Sequence, residues 1–291
     1  NRGDRVIVFL ENSVEAVVAF WAVLKANAVV VMVHPTTKAD KLAYLLNDCR
    51  ARALVTDGQL GAVAMGAAGR SKHLTAIVVA GKFDGATNEG TVGWNEACDG
   101  EKADAPPTRA SIDVDLASII YTSGSTGEPK GVMLTHRNML TAATSISTYL
   151  QIKDDDIILN VLPMSFDYGL YQMIMSFRAG ARLVLEKSFA YPAHVLKMVT
   201  EEKVTGFPGV PTVFAMLADM KAIGTFDLSA IRFVTNTAAA LPVKHILVLK
   251  DIFPKARIYS MYGLTECKRC TYLPPEDLDR KPSSVGVAIP N

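Results

Sequence analysis

LASIIYTSGSTGEPKGVMLTHRN, Leu116 to Asn138, runs from an apolar stretch straight into a loop of glycines, hydroxyl residues and one lysine. The order reads as strand, glycine-rich loop, short turn and helix, with Thr135 capping the helix and Met139 and Leu140 directed into a core. Gly124, Gly127 and Gly131 permit backbone conformations closed to other residues and let the main chain approach a ligand closely. Successive N–H groups in such a loop form an anion-binding nest. Thr122, Ser123, Ser125 and Thr126 add hydroxyl donors, and Lys130 adds a mobile positive charge, so the loop describes a phosphate site. It is not a Walker A loop, which needs a hydroxyl directly after the lysine; here Gly131 follows Lys130. Nor does it have the dinucleotide GxGxxG spacing. A mobile Gly/Ser linker would require neither the lysine nor the ordered flanks.

Outward from this loop, short β-branched runs alternate with longer helical patterns. RVIVFL (Arg5–Leu10), VVVMV (Val29–Val33), RALVT (Arg52–Thr56) and LTAIVVA (Leu74–Ala80) read as strands. Helices fall between the first three, the first with Asn12 or Ser13 as N-cap and Asn27 near its end. After the loop, strands are expected at 157–162, 182–186, 204–207, 231–235 and 257–261. Helices are expected at 135–149, 168–178, 192–203, 211–223 and 242–252. Continuous apolar strands between helices imply mostly parallel sheets covered on both faces. Residues 82–112 are rich in Gly, Asp, Asn, Glu and Pro and form a long connection. The expectation is therefore two successive layered α/β subdomains, 1–110 and 111–291, the second containing the phosphate loop.

The 291 residues carry 30 Lys+Arg against 29 Asp+Glu, and 49% are hydrophobic. That balance argues against a nucleic-acid binder working through a basic face, and the apolar content suits a sizeable core. The longest apolar stretch, Ala16–Leu24, is well short of the roughly 20 residues a membrane span needs. No signal peptide is visible, and the chain begins at Asn1 and closes on SSVGVAIPN, so both ends look cut. Four cysteines, Cys49, Cys98, Cys267 and Cys270, are too few for a disulfide scaffold, which makes a cytoplasmic setting the expectation. Cys267 and Cys270 form a CxxC without a second pair at zinc-ligand spacing.

YTSGSTGEPKGVMLTHRN (Tyr121–Asn138) resembles the signature of the adenylate-forming, AMP-binding superfamily: acyl- and aryl-CoA synthetases, luciferases and the adenylation domains of nonribosomal peptide synthesis. RIYSMYGLTE (Arg257–Glu266) resembles that family's YGxTE motif. FVTNTAAALP (Phe233–Pro242) resembles its adenine-binding loop, and SSVGVAIPN (Ser283–Asn291) its GxVGxPxPG stretch. The resemblance implies ATP-dependent activation of a carboxylic acid to an acyl-adenylate with release of pyrophosphate. A thiol of CoA or of a carrier protein's phosphopantetheine then takes the acyl group. It implies that the loop from Thr122 to Lys130 cradles the β- and γ-phosphates. Thr265 would bond the α-phosphate, Glu266 would help hold Mg²⁺, and Lys130, Thr265 and Glu266 would be the catalytic set. Tyr262 would flank the adenine, with Ala238, Ala239 and Ala240 lining it where the family more often has glycine.

The resemblance also implies an acid pocket in the second half, walled by Phe166, Asp167, Phe207, Pro208, Gly209 and Val210 together with Thr237 and Gly263. In amino-acid-activating relatives an aspartate in this FD context pairs with the substrate's ammonium, whereas the residues alone allow Asp167 to be a helix cap. The family's later motifs and its small C-terminal domain do not follow. The chain is therefore expected to be the large N-terminal part of a bigger ligase, poorly active alone. A P-loop-like kinase, which would leave ADP, and a non-catalytic nucleotide-binding module are the readings from other classes.

Overall fold

A computed structural model of the protein describes residues 1–99, 108–123 and 127–290. The chain divides into two compact units, Asn1–Met139 and Leu140–Asn291, each built on a seven-stranded, mostly parallel sheet flanked by helices.

The first unit contains β1 (Arg5–Phe9), α1 (Val14–Lys25), β2 (Val29–Val33), α2 (Ala39–Asp48), β3 (Ala51–Asp57), α3 (Gly61–Ala68), β4 (Ala76–Ala80), β5 (Thr91–Gly93), α4 (Trp94–Cys98), β6 (Leu116–Thr122) and β7 (Lys130–Thr135). Its sheet order is β5-β4-β3-β1-β2-β6-β7. All pairs are parallel except β6–β7. Ile7, Phe9, Val31, Leu42, Leu46 and Leu54 are buried in one core cluster between the sheet and α2 and α3. Ser13 caps α1, its Oγ accepting from Ala16 N at 3.1 Å.

Two expectations change here. β7 replaces the turn read after Lys130, because the segment KGVMLT runs antiparallel to β6 with Thr122 opposite Lys130. The glycine-rich loop therefore tips a hairpin. That hairpin also moves the boundary: β6 bonds to β2, so the first unit extends through Met139 rather than 110, and the flanks of the loop belong to it. Thr135 does cap α5 (His136–Leu150), accepting from Asn138 N at 3.1 Å while Asn138 Oδ1 accepts from Thr135 N at 3.1 Å. Met139 is buried, but Leu140 is 60% exposed. Consecutive helical residues point about 100° apart, and only one of the two faces the core. The periodicity also left α3, β5 and α4 unmarked.

The second unit contains most of α5, then β8 (Ile157–Asn160), α6 (Asp167–Ala179), β9 (Arg182–Leu185), α7 (Pro192–Glu201), β10 (Gly206–Gly209), α8 (Pro211–Ala218), β11 (Phe233–Asn236), α9 (Val243–Ile252), β12 (Arg257–Tyr262), β13 (Thr271–Leu273) and β14 (Val287–Ala288). Its order is β14-β13-β12-β11-β10-β8-β9. β8 to β12 run parallel, while β13 and β14 are antiparallel additions at one edge. Strand order reverses between β8 and β10. α6 is buried from Tyr168 through Ser176 and ends at Gly180 in the left-handed region, φ 76°, a common helix terminator. α8 stops at Ala218, short of the expected 223.

One buried ion pair holds the start of this sheet together. Asp156, its side chain 2% exposed, accepts from Arg232 Nε (3.0 Å), Thr205 Oγ1 (2.7 Å) and Lys153 N (2.8 Å). Burial opposes its ionisation, yet Arg232 and these donors outweigh burial and hold the carboxyl below the usual carboxylate range. A carboxyl lowered in the fold stabilises above its unfolded pKa and loses that contribution as pH falls. Urea midpoints are expected to drop below about pH 4, and Asp156→Asn should flatten that part of the profile. An unchanged acid limb in the variant would refute the assignment.

Candidate functional site

In the first unit, Thr122 and Lys130 face each other at the mouth of the β6–β7 hairpin, Thr122 Oγ1 lying 3.5 Å from Lys130 O. The hairpin is buttressed from α2: the Tyr121 hydroxyl donates to Asp48, and the Tyr44 hydroxyl donates to Pro129 O at 3.3 Å. Ser123 and Lys130 are exposed. Gly127 takes φ 114°, a conformation that strains any other residue. Gly124, Ser125 and Thr126 lie outside the described residues. A rigid base with an exposed lysine and a glycine in this backbone state suits an anion.

In the second unit the candidate residues follow the carboxyl ends of the parallel strands, where open α/β sheets bind ligands. Phe166 and Asp167 come after β8, Val210 after β10, Thr237 to Ala240 after β11, and Gly263 to Glu266 after β12. Phe166 and Tyr262 are exposed, at 52% and 45%. Pro208 and Gly209 are buried, and a side chain at Gly209 would run into the Phe214 ring. Phe207 departs from its expected role. It is fully buried, with the rings of Phe189, Phe214 and Phe253 centred at 6.1, 6.5 and 5.6 Å. All four residues of β10 are buried, and the Phe207 ring packs among these three aromatics with no surface of its own exposed. Gly263 is also a packing residue, because a side chain there would strike the Lys268 carbonyl.

Asp167 does not occupy the cap position of α6. Phe166 is the N-cap, without a side-chain cap bond, and Asp167 is the first helical residue. Its carboxylate instead meets Arg269, with Nη1 to Oδ2 at 3.5 Å and side-chain exposures of 4% and 18%. The Arg269 guanidinium carbon lies 4.8 Å from the centre of the Tyr168 ring. The Tyr168 hydroxyl sits 2.7 Å from both Thr235 O and Thr235 Oγ1, and burial pushes its pKa up to about 12. Lys268, 3% exposed, donates to Thr265 O at 2.5 Å. Burial pulls its pKa down to about 8, against the opposing pull of Asp167.

Three buried atoms here have no hydrogen-bond partner among the described residues: Asn236 Oδ1, Thr237 Oγ1 and Arg269 Nε. Each such atom costs about 1–3 kcal/mol if left unpaired. Two lie at the carboxyl end of β11 and one on the partner of Asp167, and each is an atom that a polar ligand could satisfy. Glu266 is exposed and makes no ion pair among the described residues, which fits a carboxylate free to hold a divalent cation. Sequence reasoning missed Lys268, Arg269, Tyr168 and Asn236. Lys268 and Arg269 follow YGLTE after Cys267, and no feature of their charge pattern distinguishes them from solvated residues.

Ala238 adopts φ 74° in the expected adenine loop, where an L-residue is strained by about 1–2 kcal/mol. Ala238→Gly relieves that strain but frees the unfolded chain by about 0.4–1 kcal/mol. The expected result is a stability gain of up to about 1 kcal/mol, read as a higher urea midpoint; a lower midpoint would mean the turn is unstrained.

The whole chain, residues 1–291, matches the family model described as AMP-binding enzyme. It is 30% identical over 298 residues to 4-coumarate–CoA ligase 5 of Oryza sativa subsp. japonica, covering 99% of this chain and 53% of the relative. The structure of VinN in complex with L-aspartate superposes with a TM-score of 0.84 at 30% identity, covering 100% of this chain and 70% of that one. The anthranilate CoA ligase AuaEII, in complex with anthranoyl-AMP, gives a TM-score of 0.89 at 26% identity over 99% of this chain and 55% of that one. The chain spans about half the length of the curated relatives it matches.

Proposed function

Because the chain belongs to the AMP-binding enzyme family, we propose that the complete protein activates a carboxylic acid with ATP. The acid's oxygen forms a bond to the α-phosphorus, the bond to the β-phosphate oxygen breaks, and pyrophosphate leaves. The acyl group then passes to a thiol, that of CoA or of a carrier protein's phosphopantetheine. An anion attacks a polyanion in this step, so the residues act by positioning and by neutralising charge. Lys130 and the hairpin loop hold the departing β- and γ-phosphates. The Thr265 hydroxyl bonds the α-phosphate, and Tyr262 flanks the adenine beside Ala238 to Ala240. Asn236 Oδ1, buried and unpartnered, can accept from an adenine amino group. Glu266 would hold Mg²⁺, which when bound supplies further neutralisation of phosphate charge.

The acid is one that carries further charges, an amino acid with a second carboxylate. The observation that carries this reading is the pairing of a half-buried Asp167 with a buried Arg269. Asp167 is the carboxylate that acts on two buried cations, Arg269 at 3.5 Å and Lys268 through its field, leaving an excess positive charge that is costly to bury without an anion. A dicarboxylic amino acid, with one ammonium and two carboxylates, brings a net negative charge that would offset it, its ammonium at Asp167 and a carboxylate at Arg269 Nε. The likeness to VinN in complex with L-aspartate supports the same chemistry.

ATP–pyrophosphate exchange by the complete protein, run with amino acids, dicarboxylic amino acids, aryl acids and fatty acids, tests both parts. Exchange is expected to be strongest with aspartate-like acids. A preference for aryl or fatty acids would overturn the substrate reading and keep the reaction. Release of ADP would overturn the reaction.

A further inference from the structure

The loop that joins β12 to β13 carries a pair of thiols that the adenylation chemistry does not use. Cys267 Sγ and Cys270 Sγ stand 3.1 Å apart. Cys267 is exposed and Cys270 half-buried. Tight geometry brings them together. Cys270 N donates to Tyr262 O at 2.8 Å, closing the loop at its base, and Arg269 N donates to Cys267 O at 2.8 Å. Lys268 takes φ 61°, a left-handed turn that reverses the chain between the two cysteines and sends Lys268 and Arg269 inward. No third His, Cys, Asp or Glu joins the thiols in a metal-binding cluster among the described residues. Cys267 shares a peptide bond with Glu266.

We propose that Cys267 and Cys270 form a reversible disulfide that switches the adenylating site off under oxidising conditions. The oxidant is a low-molecular-weight disulfide such as glutathione disulfide. The Cys267 thiolate attacks one of its sulfurs, releasing one glutathione thiolate, which takes up a proton, and leaving a mixed disulfide on Cys267. The Cys270 thiolate then attacks the Cys267 sulfur and expels the second glutathione. Two protein thiols are oxidised and one disulfide is reduced to two thiols, so electrons and protons balance. The exposed Cys267 is the sulfur the oxidant can reach, and Cys270 is already in place to resolve the mixed disulfide. Bond formation draws the sulfurs from contact to about 2 Å. It pulls Cys267 towards the β12–β13 base and, with it, the adjoining Glu266 and Thr265. Lys268 donates to Thr265 O from inside the loop, which links Thr265 to the turn that carries the two thiols.

The effect on exchange rests on the adenylation reading; the disulfide itself does not. The complete protein is equilibrated in glutathione buffers from reducing to oxidising, its thiols are trapped by alkylation, and the peptide spanning 267–270 is weighed. The expected result is loss of two hydrogen atoms from that peptide, with exchange falling at least tenfold and returning with dithiothreitol. The double variant Cys267→Ser/Cys270→Ser should keep the reduced rate at every glutathione ratio. A glutathione adduct that persists on Cys267 overturns the proposal, as does a 267–270 disulfide that leaves exchange unchanged. If the fully reduced protein shows no exchange with any acid, the adenylation reading fails, and the peptide mass still reads the disulfide.

Discussion

Glu266→Gln is expected to slow ATP–pyrophosphate exchange by the complete protein about 10²–10³-fold, equivalent to roughly 3–4 kcal/mol of lost transition-state stabilisation. The substitution keeps the shape of the side chain and removes only its charge. Because Glu266 is exposed and makes no ion pair among the described residues, the fold should be indifferent, within about 0.5 kcal/mol. The loss should fall on kcat more than on the KM for the acid, and raised magnesium should recover part of it. A variant with full exchange activity would show that Glu266 is an ordinary solvated carboxylate. A variant with a much lower urea midpoint would show that it supports the β12–β13 loop instead.

Arg269→Met should have the next largest effect, and on two separate readouts. Removing one partner of a buried ion pair costs about 3–5 kcal/mol. Asp167 keeps 18% exposure and can relax towards water, so the lower end of that range is expected. If the pair serves stability alone, Asp167→Asn combined with Arg269→Met should restore part of the urea midpoint, because Lys268 is then the buried charge that remains. The substrate preference should not return. Discrimination in favour of an acid with an ammonium and a second carboxylate is expected to fall at least tenfold in Arg269→Met and to stay lost in the double variant. Restored stability together with restored selectivity would mean the pair is a structural brace and that the acid is recognised elsewhere.

Arg269 lies beyond what its neighbours in the chain reveal. In CKRC the two cations look like solvated surface charge, since lysine and arginine are rarely buried. What buries them is a single left-handed residue, Lys268, and a glycine, Gly263, that lets the Lys268 carbonyl pack against it. Neither device has a periodic signature. Phe207 fails in the opposite direction. It follows the glycine of a strand-like segment, and only the side of the sheet it faces tells core from pocket. The same applies to the loop at Thr122–Lys130: alternation in KGVML is too short to separate a strand from a turn until β6 is there to pair with it.

The sequence by itself determined the alternation of strands and helices, the parallel character of the sheets, and the two motifs through which the chain is placed in its family. Those properties depend on neighbours in the chain: side-chain period, glycine at fixed offsets, and a lysine, threonine and glutamate within short motifs. The tertiary structure alone decided which unit holds the hairpin, which aromatic ring turns inward, and that Asp167 meets Arg269 instead of capping a helix. Those depend on strand order and on residues about a hundred positions apart. Burial reverses the ordinary preference of a charged side chain there, because each charge has found a partner that no local pattern foretells.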